Sequence, residues 1–248
     1  MIIIKRHIYK GLPFLEVVKE ELANEVLPTV FFYHGWTNTK EVVLVNGYEI
    51  AQRNMRGILP EAMFHGERSD GLSVEEHFQD FARIVLHSVE EFRFISEYLV
   101  ENKLTDSEKI GVTGLSMGGI TTCAIMTRYP QVKAADCLMG APNLHGFVEN
   151  VAKVAMGEEQ LPVDFDAQLS ALDPYDLSLQ PEKINQRPFH FWHGTADDMV
   201  PYEPTHAFYE KIKATNEGEN LTFTTTEGGH KVPYNITLEM ADFFEKVL

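Results

Sequence analysis

The chain has 248 residues, 44% of them hydrophobic, which is enough for one large α/β domain with a sizeable buried core. There are 37 Asp and Glu against 21 Lys and Arg, so the net charge is −16 and the surface would repel phosphate backbones and anionic lipids. These values argue against binding to nucleic acid or to a membrane. The apolar run at the N-terminus is too short for a signal peptide or a membrane span, and we therefore expect a cytoplasmic protein.

Hydrophobic periodicity and turn residues predict strands and helices that alternate along most of the chain. The predicted strands occupy residues 2–9, 12–21, 27–35, 57–66, 109–114, 132–142, 187–194 and 220–229. The predicted helices occupy residues 37–54, 73–102, 117–130, 203–216 and 234–248. Thr37 or Asn38 is the expected N-cap of the first helix. Such alternation indicates a mostly parallel sheet with helices on both faces.

The alternation is interrupted once, over residues 143–186, a stretch too long for a simple connection. It contains a further predicted helix at 147–160. We expect a single domain over residues 1–248, in which 143–186 is a helical cap, or lid, over the top of the sheet rather than a second domain. Five apolar residues of the cap could pack its helix, line a substrate pocket, or do both: Phe147, Val148, Val151, Val154 and Met156.

A serine between glycines joins the predicted strand at 109–114 to the helix that follows. Gly114, Ser116 and Gly118 form a Gly-x-Ser-x-Gly motif, in which a strand turns directly into a helix and forces the serine into strained backbone angles. Side chains two positions to either side would clash, which explains the glycines. The turn raises the serine Oγ above the sheet edge, at a helix N-terminus that favours developing negative charge. Ser116 is therefore the candidate nucleophile.

A serine hydroxyl is a weak nucleophile that needs a base, and the base needs an orienting acid. In an open sheet these partners are expected in loops at the carboxyl ends of later strands. One such loop holds Asp197 and Asp198, and a later loop holds His230. The sequence therefore predicts a catalytic triad whose acid is one of two adjacent aspartates.

With these motifs the sequence resembles the α/β-hydrolase superfamily over nearly its whole length, including the chain order of serine, acid and histidine. It is most similar to small bacterial esterases, dienelactone hydrolases and the catalytic domains of prolyl oligopeptidases. The resemblance implies an α/β-hydrolase fold. The acid motif of those families, His-Gly-x-x-Asp-x-x-Val-Pro, reads HGTADDMVP here and implies Asp197 as the acid, with Asp198 as a loop or solvated neighbour. Their Gly-x-His ending matches GGH and implies His230 as the base.

Families of this kind also carry His-Gly-aromatic after the third strand, which is His34-Gly-Trp36 here. The resemblance implies that the backbone N–H groups of Trp36 and of Met117, the residue after the nucleophile, form the oxyanion hole. His34 would then brace the oxyanion loop, and His65 and His193 would have similar structural roles.

Other residues that could carry chemistry have simpler explanations. Cys123 and Cys137 lie in apolar surroundings, which is typical of inert buried thiols. His190 and His193 point to opposite faces of one strand and cannot chelate the same ion, while Trp192 between them is expected in the core. No carboxylate-histidine cluster has the spacing of metal ligands, and no glycine-rich phosphate loop follows a strand. We therefore expect neither a metal nor a cofactor.

The motifs favour a serine hydrolase of the carboxylesterase type, which cleaves a small ester or thioester through an acyl-enzyme on Ser116. The first alternative is a peptidase similar to prolyl oligopeptidase, which has the same triad, although this chain lacks the large propeller of those enzymes. The second is a hydrolase-fold binding protein without catalysis, against which the complete set of site residues argues. The sequence leaves the acyl-chain length, the leaving group and the oligomeric state open.

Overall fold

One sheet of eight strands organises the computed structural model, which describes residues 1–157 and 161–248. The strands are β1 Ile2–Tyr9, β2 Leu12–Lys19, β3 Leu27–Tyr33, β4 Arg56–Pro60, β5 Thr105–Leu115, β6 Ala134–Leu138, β7 Phe189–Gly194 and β8 Leu221–Thr226. Their order across the sheet is β1-β2-β4-β3-β5-β6-β7-β8. The pairs β1–β2 and β2–β4 are antiparallel, and the remaining pairs are parallel. The prediction of a mostly parallel sheet is confirmed.

Helices cover both faces of this sheet. In the described ranges the α-helices are α1 Leu44–Gln52, α2 Phe81–Glu101, α3 Met117–Arg128, α4 Leu144–Met156, α5 Phe165–Ser170, α6 Tyr202–Ile212 and α7 Tyr234–Val247. On one face α2, α3 and α6 pack against strand residues such as Phe31 and Phe191, and on the other α1 and α7 pack against Phe32 and Trp192. Successive side chains of a strand point to opposite faces, so strands covered on both sides are apolar throughout. Within residues 1–157 and 161–248, no helix is both long and apolar enough to cross a membrane.

The first helix begins later than its hydrophobic pattern predicts. It starts at Leu44, so the expectation that Thr37 or Asn38 caps it is wrong. Thr37 has a left-handed backbone conformation with a φ of 63°. The backbone N–H of Lys40 donates to Glu61 Oε1 at 3.0 Å, a side-chain acceptor from another loop. Contacts with distant residues therefore hold this stretch in turns.

The long helix predicted after β4 is confirmed over α2, but the residues before α2 adopt another conformation. Val74–Asp80 form a 3-10 stretch, in which the backbone of His77 leaves the helical region at φ −91° and ψ 15°. The His77 ring stacks on Phe64, with the ring centroids 3.7 Å apart. A tertiary contact that the local pattern does not encode therefore accompanies the bend before α2.

Residues 143–186, predicted as a cap, connect β6 to β7 and contain α4 and α5. α4 corresponds to the helix predicted at 147–160, of which residues 158–160 lie outside the described residues. The backbone N–H of His145 donates to Asp176 Oδ2 at 2.8 Å. This bond ties the first turn of α4 to the stretch that leads back to β7.

A carboxyl group lies unpaired inside the sheet. Asp136 of β6 lies in register between Thr113 of β5 and His190 of β7 and is completely buried. Among the described residues, neither of its oxygens has a hydrogen-bond partner. Burial, with a smaller contribution from the charge of Glu239, raises the pKa of Asp136 well above its ordinary value. The fold therefore favours the neutral carboxyl form.

Asp136→Asn is expected to stabilise the protein progressively, relative to wild type, as the pH rises. The pKa of Asp136 is higher in the folded protein than in the unfolded chain, so its protonated form stabilises the fold. This stabilisation is fully present below the pKa of the unfolded chain and is lost as the pH rises through the pKa of the folded protein. The loss is at most about 1.4 kcal/mol per pH unit. Asparagine has a similar shape and does not titrate. Urea unfolding of both proteins between about pH 4 and pH 8 should give diverging curves, whereas parallel curves would show that Asp136 titrates equally in both states.

Candidate active site

The turn between β5 and α3 holds Ser116 in a backbone conformation that few residues adopt. Its φ is 56° and its ψ is −119°. Neighbouring glycines allow the chain to close this turn, since a Cβ on Gly118 would lie 2.0 Å from the carbonyl oxygen of Tyr33, and a Cβ on Gly114 would lie 2.6 Å from the same atom. Strain of this kind costs about 1–3 kcal/mol and is concentrated at functional sites. The crowding predicted to explain the Gly-x-Ser-x-Gly spacing is confirmed.

His230 lies between the other two predicted triad residues. Its Nε2 is 2.8 Å from Ser116 Oγ. Its Nδ1 is 2.9 Å and 2.8 Å from the two carboxylate oxygens of Asp197. A proton on Nδ1 is therefore directed to the carboxylate, which leaves Nε2 to accept the proton of the serine hydroxyl. The side chain of His230 is 20% exposed, so solvent reaches the middle residue of this series of hydrogen bonds.

The carboxylate of Asp197 is completely buried and surrounded by donors. Its Oδ1 accepts the backbone N–H groups of Met199 at 3.0 Å and Val200 at 2.9 Å, and its Oδ2 lies 3.3 Å from His193 Nε2. Burial alone would raise the pKa of Asp197, but the hydrogen bonds from His193, His230 and the Val200 N–H outweigh it and hold that pKa well below its usual range. The acid is therefore ionised at neutral pH.

Backbone hydrogen bonds align the loop after β7, which carries Asp197, with the loop after β8. The N–H of Thr195 donates to the Thr226 carbonyl at 3.0 Å, and the N–H of Ala196 donates to the Gly228 carbonyl at 2.8 Å. A Cβ on Gly194 would lie 2.5 Å from the Gly228 oxygen, so a side chain there would separate the two loops. The glycine of the His-Gly pair at the start of the acid motif is therefore required because a larger residue does not fit there.

The two backbone N–H groups predicted to form the oxyanion hole have no acceptor among the described residues. In the part of the chain that the structure describes, neither the N–H of Trp36 nor that of Met117 donates to a protein acceptor. Met117 is the first residue of α3, where backbone donors lack helical partners. Trp36 follows β3, which pairs with β5 as far as Tyr33 and Gly114. Both positions predicted as oxyanion donors thus follow the ends of adjacent strands.

His34 links the loop after β3 to the loop after β4. Its Nε2 accepts the N–H of Ala62 at 3.1 Å, so Nδ1 carries the proton and donates to the Gly35 carbonyl at 2.9 Å. Burial lowers the pKa of His34 to about 4, which keeps the ring neutral. The ring of His65 lies 5.0 Å from that of His34 and 5.5 Å from that of Trp36. These contacts hold the loop that carries Trp36 against the loop after β4.

A buried lysine in the same loop had no signal in the sequence. The side chain of Lys40 is completely buried, and its Nζ lies 2.6 Å from Glu61, 2.7 Å from Glu67 and 2.8 Å from Glu41. The three carboxylates offer oxygens within 4.8 Å of one another, a spacing that could suit a metal ion, but the ammonium group binds all three. Burial opposes the charged form of Lys40, yet the carboxylates raise its pKa above the ordinary value. The Lys40 ammonium group therefore occupies the position between the three carboxylates.

Lys40→Met is expected to lower the free energy of unfolding by about 3–5 kcal/mol. Without the ammonium group, the buried Glu61 carboxylate loses its cationic partner and faces two other carboxylates, of which Glu67 keeps a second cation, Arg6. Urea denaturation measures the loss. Lys246→Met, at an exposed position of α7, is the matched control and should change stability by less than about 0.5 kcal/mol. Equal stabilities of the two variants would contradict a structural role for the cluster.

Residues that the sequence assigned to packing are mostly where we expected them. Trp192, Cys123 and Cys137 are each 1% exposed, and burial raises the pKa of the Cys123 thiol well above its usual value. Asp198, the neighbour of the buried acid, is exposed. The prediction that Val154 packs the cap helix or lines a pocket is wrong, because its side chain is 80% exposed.

The strand order, the helices on both faces and the strained serine turn after β5 define an α/β-hydrolase fold. Among solved structures, TT1662 from Thermus thermophilus has the same fold, with a TM-score of 0.81 and 19% identity over 99% of this chain and 98% of that one. The chain belongs to the prolyl oligopeptidase family, whose model matches residues 86–248. The predicted resemblance to this superfamily is confirmed, and the protein is a hydrolase of that family.

Two curated proteins are similar along the whole chain. A protein of Bacillus subtilis (strain 168), named "Putative esterase YitV", is 41% identical over 255 residues, which cover 100% of both chains. "Esterase YjfP" of Escherichia coli (strain K12) is 27% identical over 98% of this chain and 96% of its own length. The resemblance to bacterial esterases therefore also covers the N-terminal strands, which lie outside the region that the family model matches.

Proposed function

We propose that this protein is a serine hydrolase that cleaves small carboxylic esters or thioesters through an acyl-enzyme on Ser116. The observation that carries the proposal is the unbroken series of hydrogen-bonding distances from Asp197 through His230 to Ser116 Oγ. The names of the two curated relatives support an ester as the substrate.

In the proposed reaction, His230 Nε2 takes the hydroxyl proton as Ser116 Oγ attacks the substrate carbonyl carbon. The N–H groups of Trp36 and Met117 bind the resulting oxyanion. Asp197 keeps Nδ1 protonated and stabilises the imidazolium. His230 then gives its proton to the leaving alcohol or thiol as the bond to it breaks. Water, deprotonated by the same ring, then attacks the acyl carbon. As the bond to Ser116 Oγ breaks, His230 returns that proton to the serine and the acid is released.

Peptide hydrolysis is the second candidate, because the family model that matches this chain describes prolyl oligopeptidases. The same groups could cleave an amide, with His230 protonating the leaving amine. The esterase names of full-length relatives favour the ester.

A fluorophosphonate probe tests the nucleophile. We expect it to modify the native protein stoichiometrically, with the added mass on the peptide that contains Ser116. A folded protein that stays unmodified at this position would overturn the proposal and favour a binding protein without catalysis.

Parallel assays separate the two substrate classes. We expect hydrolysis of p-nitrophenyl esters with a higher kcat/KM than that of aminoacyl p-nitroanilides with the same acyl group. A preference for the anilides would favour the peptidase.

A further inference from the structure

An apolar cavity of about 290 Å³ lies between the cap segment, residues 143–186, and the start of α2. Its wall includes the side chains of Phe78, Phe81, Val148, Val151, Phe165 and Leu169. Only Gln79 and Gln168 are polar among its described lining residues. The inward side of α4 forms part of this wall, so the apolar stripe of the cap helix faces an open space as well as the core.

An aromatic row connects this cavity with the catalytic end of the sheet. The ring of Phe81, in the cavity wall, lies 5.5 Å from the ring of Trp36 and 5.4 Å from that of Phe147 in α4. Trp36 is the residue whose backbone N–H is proposed to bind the substrate oxyanion. The wall of the cavity therefore contacts the ring of Trp36, in the loop that also carries a predicted oxyanion donor.

The position of His230 decides which half of the substrate faces this row. The leaving oxygen must lie within reach of His230 Nε2, which protonates it. His230 and Asp197 follow β8 and β7, whereas the Phe78–Phe81 wall belongs to the connection between β4 and β5, on the Trp36 side of Ser116. The group directed toward the cavity is therefore the acyl chain rather than the alcohol.

We propose that the cavity between the cap and α2 is the acyl-binding subsite and that the enzyme prefers esters of medium-length, unbranched fatty acids. This inference rests on the proposed esterase function. Sites for small molecules span roughly 300–1,000 Å³, so this one lies at the lower end. At about 30 Å³ for each water-sized group, it accommodates about ten non-hydrogen atoms. The first carbons of an acyl chain must pass the aromatic row, so an acetyl group does not reach the cavity, a chain of medium length extends into it, and a long fatty acyl chain exceeds it.

A series of p-nitrophenyl esters from acetate to palmitate tests the subsite in the wild-type protein. Because each methylene moves from water into an apolar pocket, we expect kcat/KM to rise about fourfold per methylene from acetate to hexanoate. It should then decline for chains longer than decanoate. A flat or falling profile from acetate onward would overturn the inference.

Two variants of α4 locate the effect. Ala152 lines the cavity, and Ala152→Phe should lower the ratio of kcat/KM for hexanoate to that for acetate at least tenfold by filling it. Ala155 lies on the exposed side of the same helix, so Ala155→Phe is the matched control, and the ratio should stay within about twofold of wild type. Equal ratios in both variants would place the acyl chain elsewhere.

Fluorophosphonate labelling distinguishes failure of this inference from failure of the proposed function. If the serine is labelled and acetate is hydrolysed but the chain-length profile is flat, the esterase proposal stands and the subsite is refuted. If no ester is hydrolysed and the folded protein is not labelled, both proposals fall. The wild-type profile needs no variant, so a folding defect in Ala152→Phe would leave the inference testable.

Discussion

Ser116→Ala is expected to lower kcat/KM for p-nitrophenyl esters by about 10⁴- to 10⁶-fold. The substitution removes the oxygen that lies 2.8 Å from His230 Nε2, so no acyl-enzyme can form. The proposed oxyanion donors and acyl subsite remain in this variant, and they should leave a small residual rate above that in water. Steady-state kinetics and the loss of fluorophosphonate labelling measure the effect.

The matched control for this variant is Ser107→Ala, in the exposed part of the same strand, β5. It should keep wild-type kinetics and labelling. If Ser116→Ala retained more than about one hundredth of the activity, with the fold intact by circular dichroism, a different nucleophile would have to act.

Asp197→Asn is expected to lower kcat by about 10⁴-fold. The asparagine can still occupy the site, but its NH₂ group can donate to His230 Nδ1, which favours the tautomer with the proton on Nε2. In that tautomer Nε2 cannot accept the proton of Ser116. Initial rates with a short p-nitrophenyl ester measure the loss.

Asp198→Asn is the control for this variant, because Asp198 is adjacent in sequence but exposed. We expect near-wild-type rates from it. A larger loss in Asp198→Asn than in Asp197→Asn would show that Asp197 is not the acid. It would also contradict the geometry on which the proposed function depends.

The lowered pKa of Asp197 also gives a pH dependence of stability. Because the pKa of Asp197 is lower in the folded protein than in the unfolded chain, its ionised form stabilises the fold. This stabilisation is present above the unfolded-state pKa of about 3.9 and is lost as the pH falls through the folded-state pKa. Acid unfolding of wild type should therefore include a component that Asp197→Asn lacks. Superimposable acid-unfolding curves would show that Asp197 has the same pKa in both states.

The geometry around Ser116, Asp197 and His230 could be anticipated because each residue belongs to a short motif with a steric or chemical reason. Two glycines flank the serine at fixed spacing, since the turn brings them against the carbonyl of Tyr33. The acid and the histidine each follow an apolar strand, and parallel strands present their carboxyl ends at one edge of the sheet.

The Lys40 cluster had no such signal. Its nearest partner, Glu61, is 21 residues away and belongs to the loop after a different strand. An isolated lysine between threonine and glutamate looks solvent-exposed in a sequence, and burial depends on which loops meet. The late start of α1 has the same origin, because Glu61 takes the backbone N–H of Lys40.

The sequence by itself determined the alternation of strands and helices, the strained serine turn and the order of the three side chains, because these depend on periodicity and on steric demands within a few residues. Only the tertiary structure decided that His230 Nε2 reaches a serine 114 residues away, that a buried ammonium group binds three carboxylates, and that the inner side of α4 borders a cavity. The physical reason is that charge pairing, burial and cavity shape depend on atoms brought together by folding, and spacing along one chain does not specify those distances.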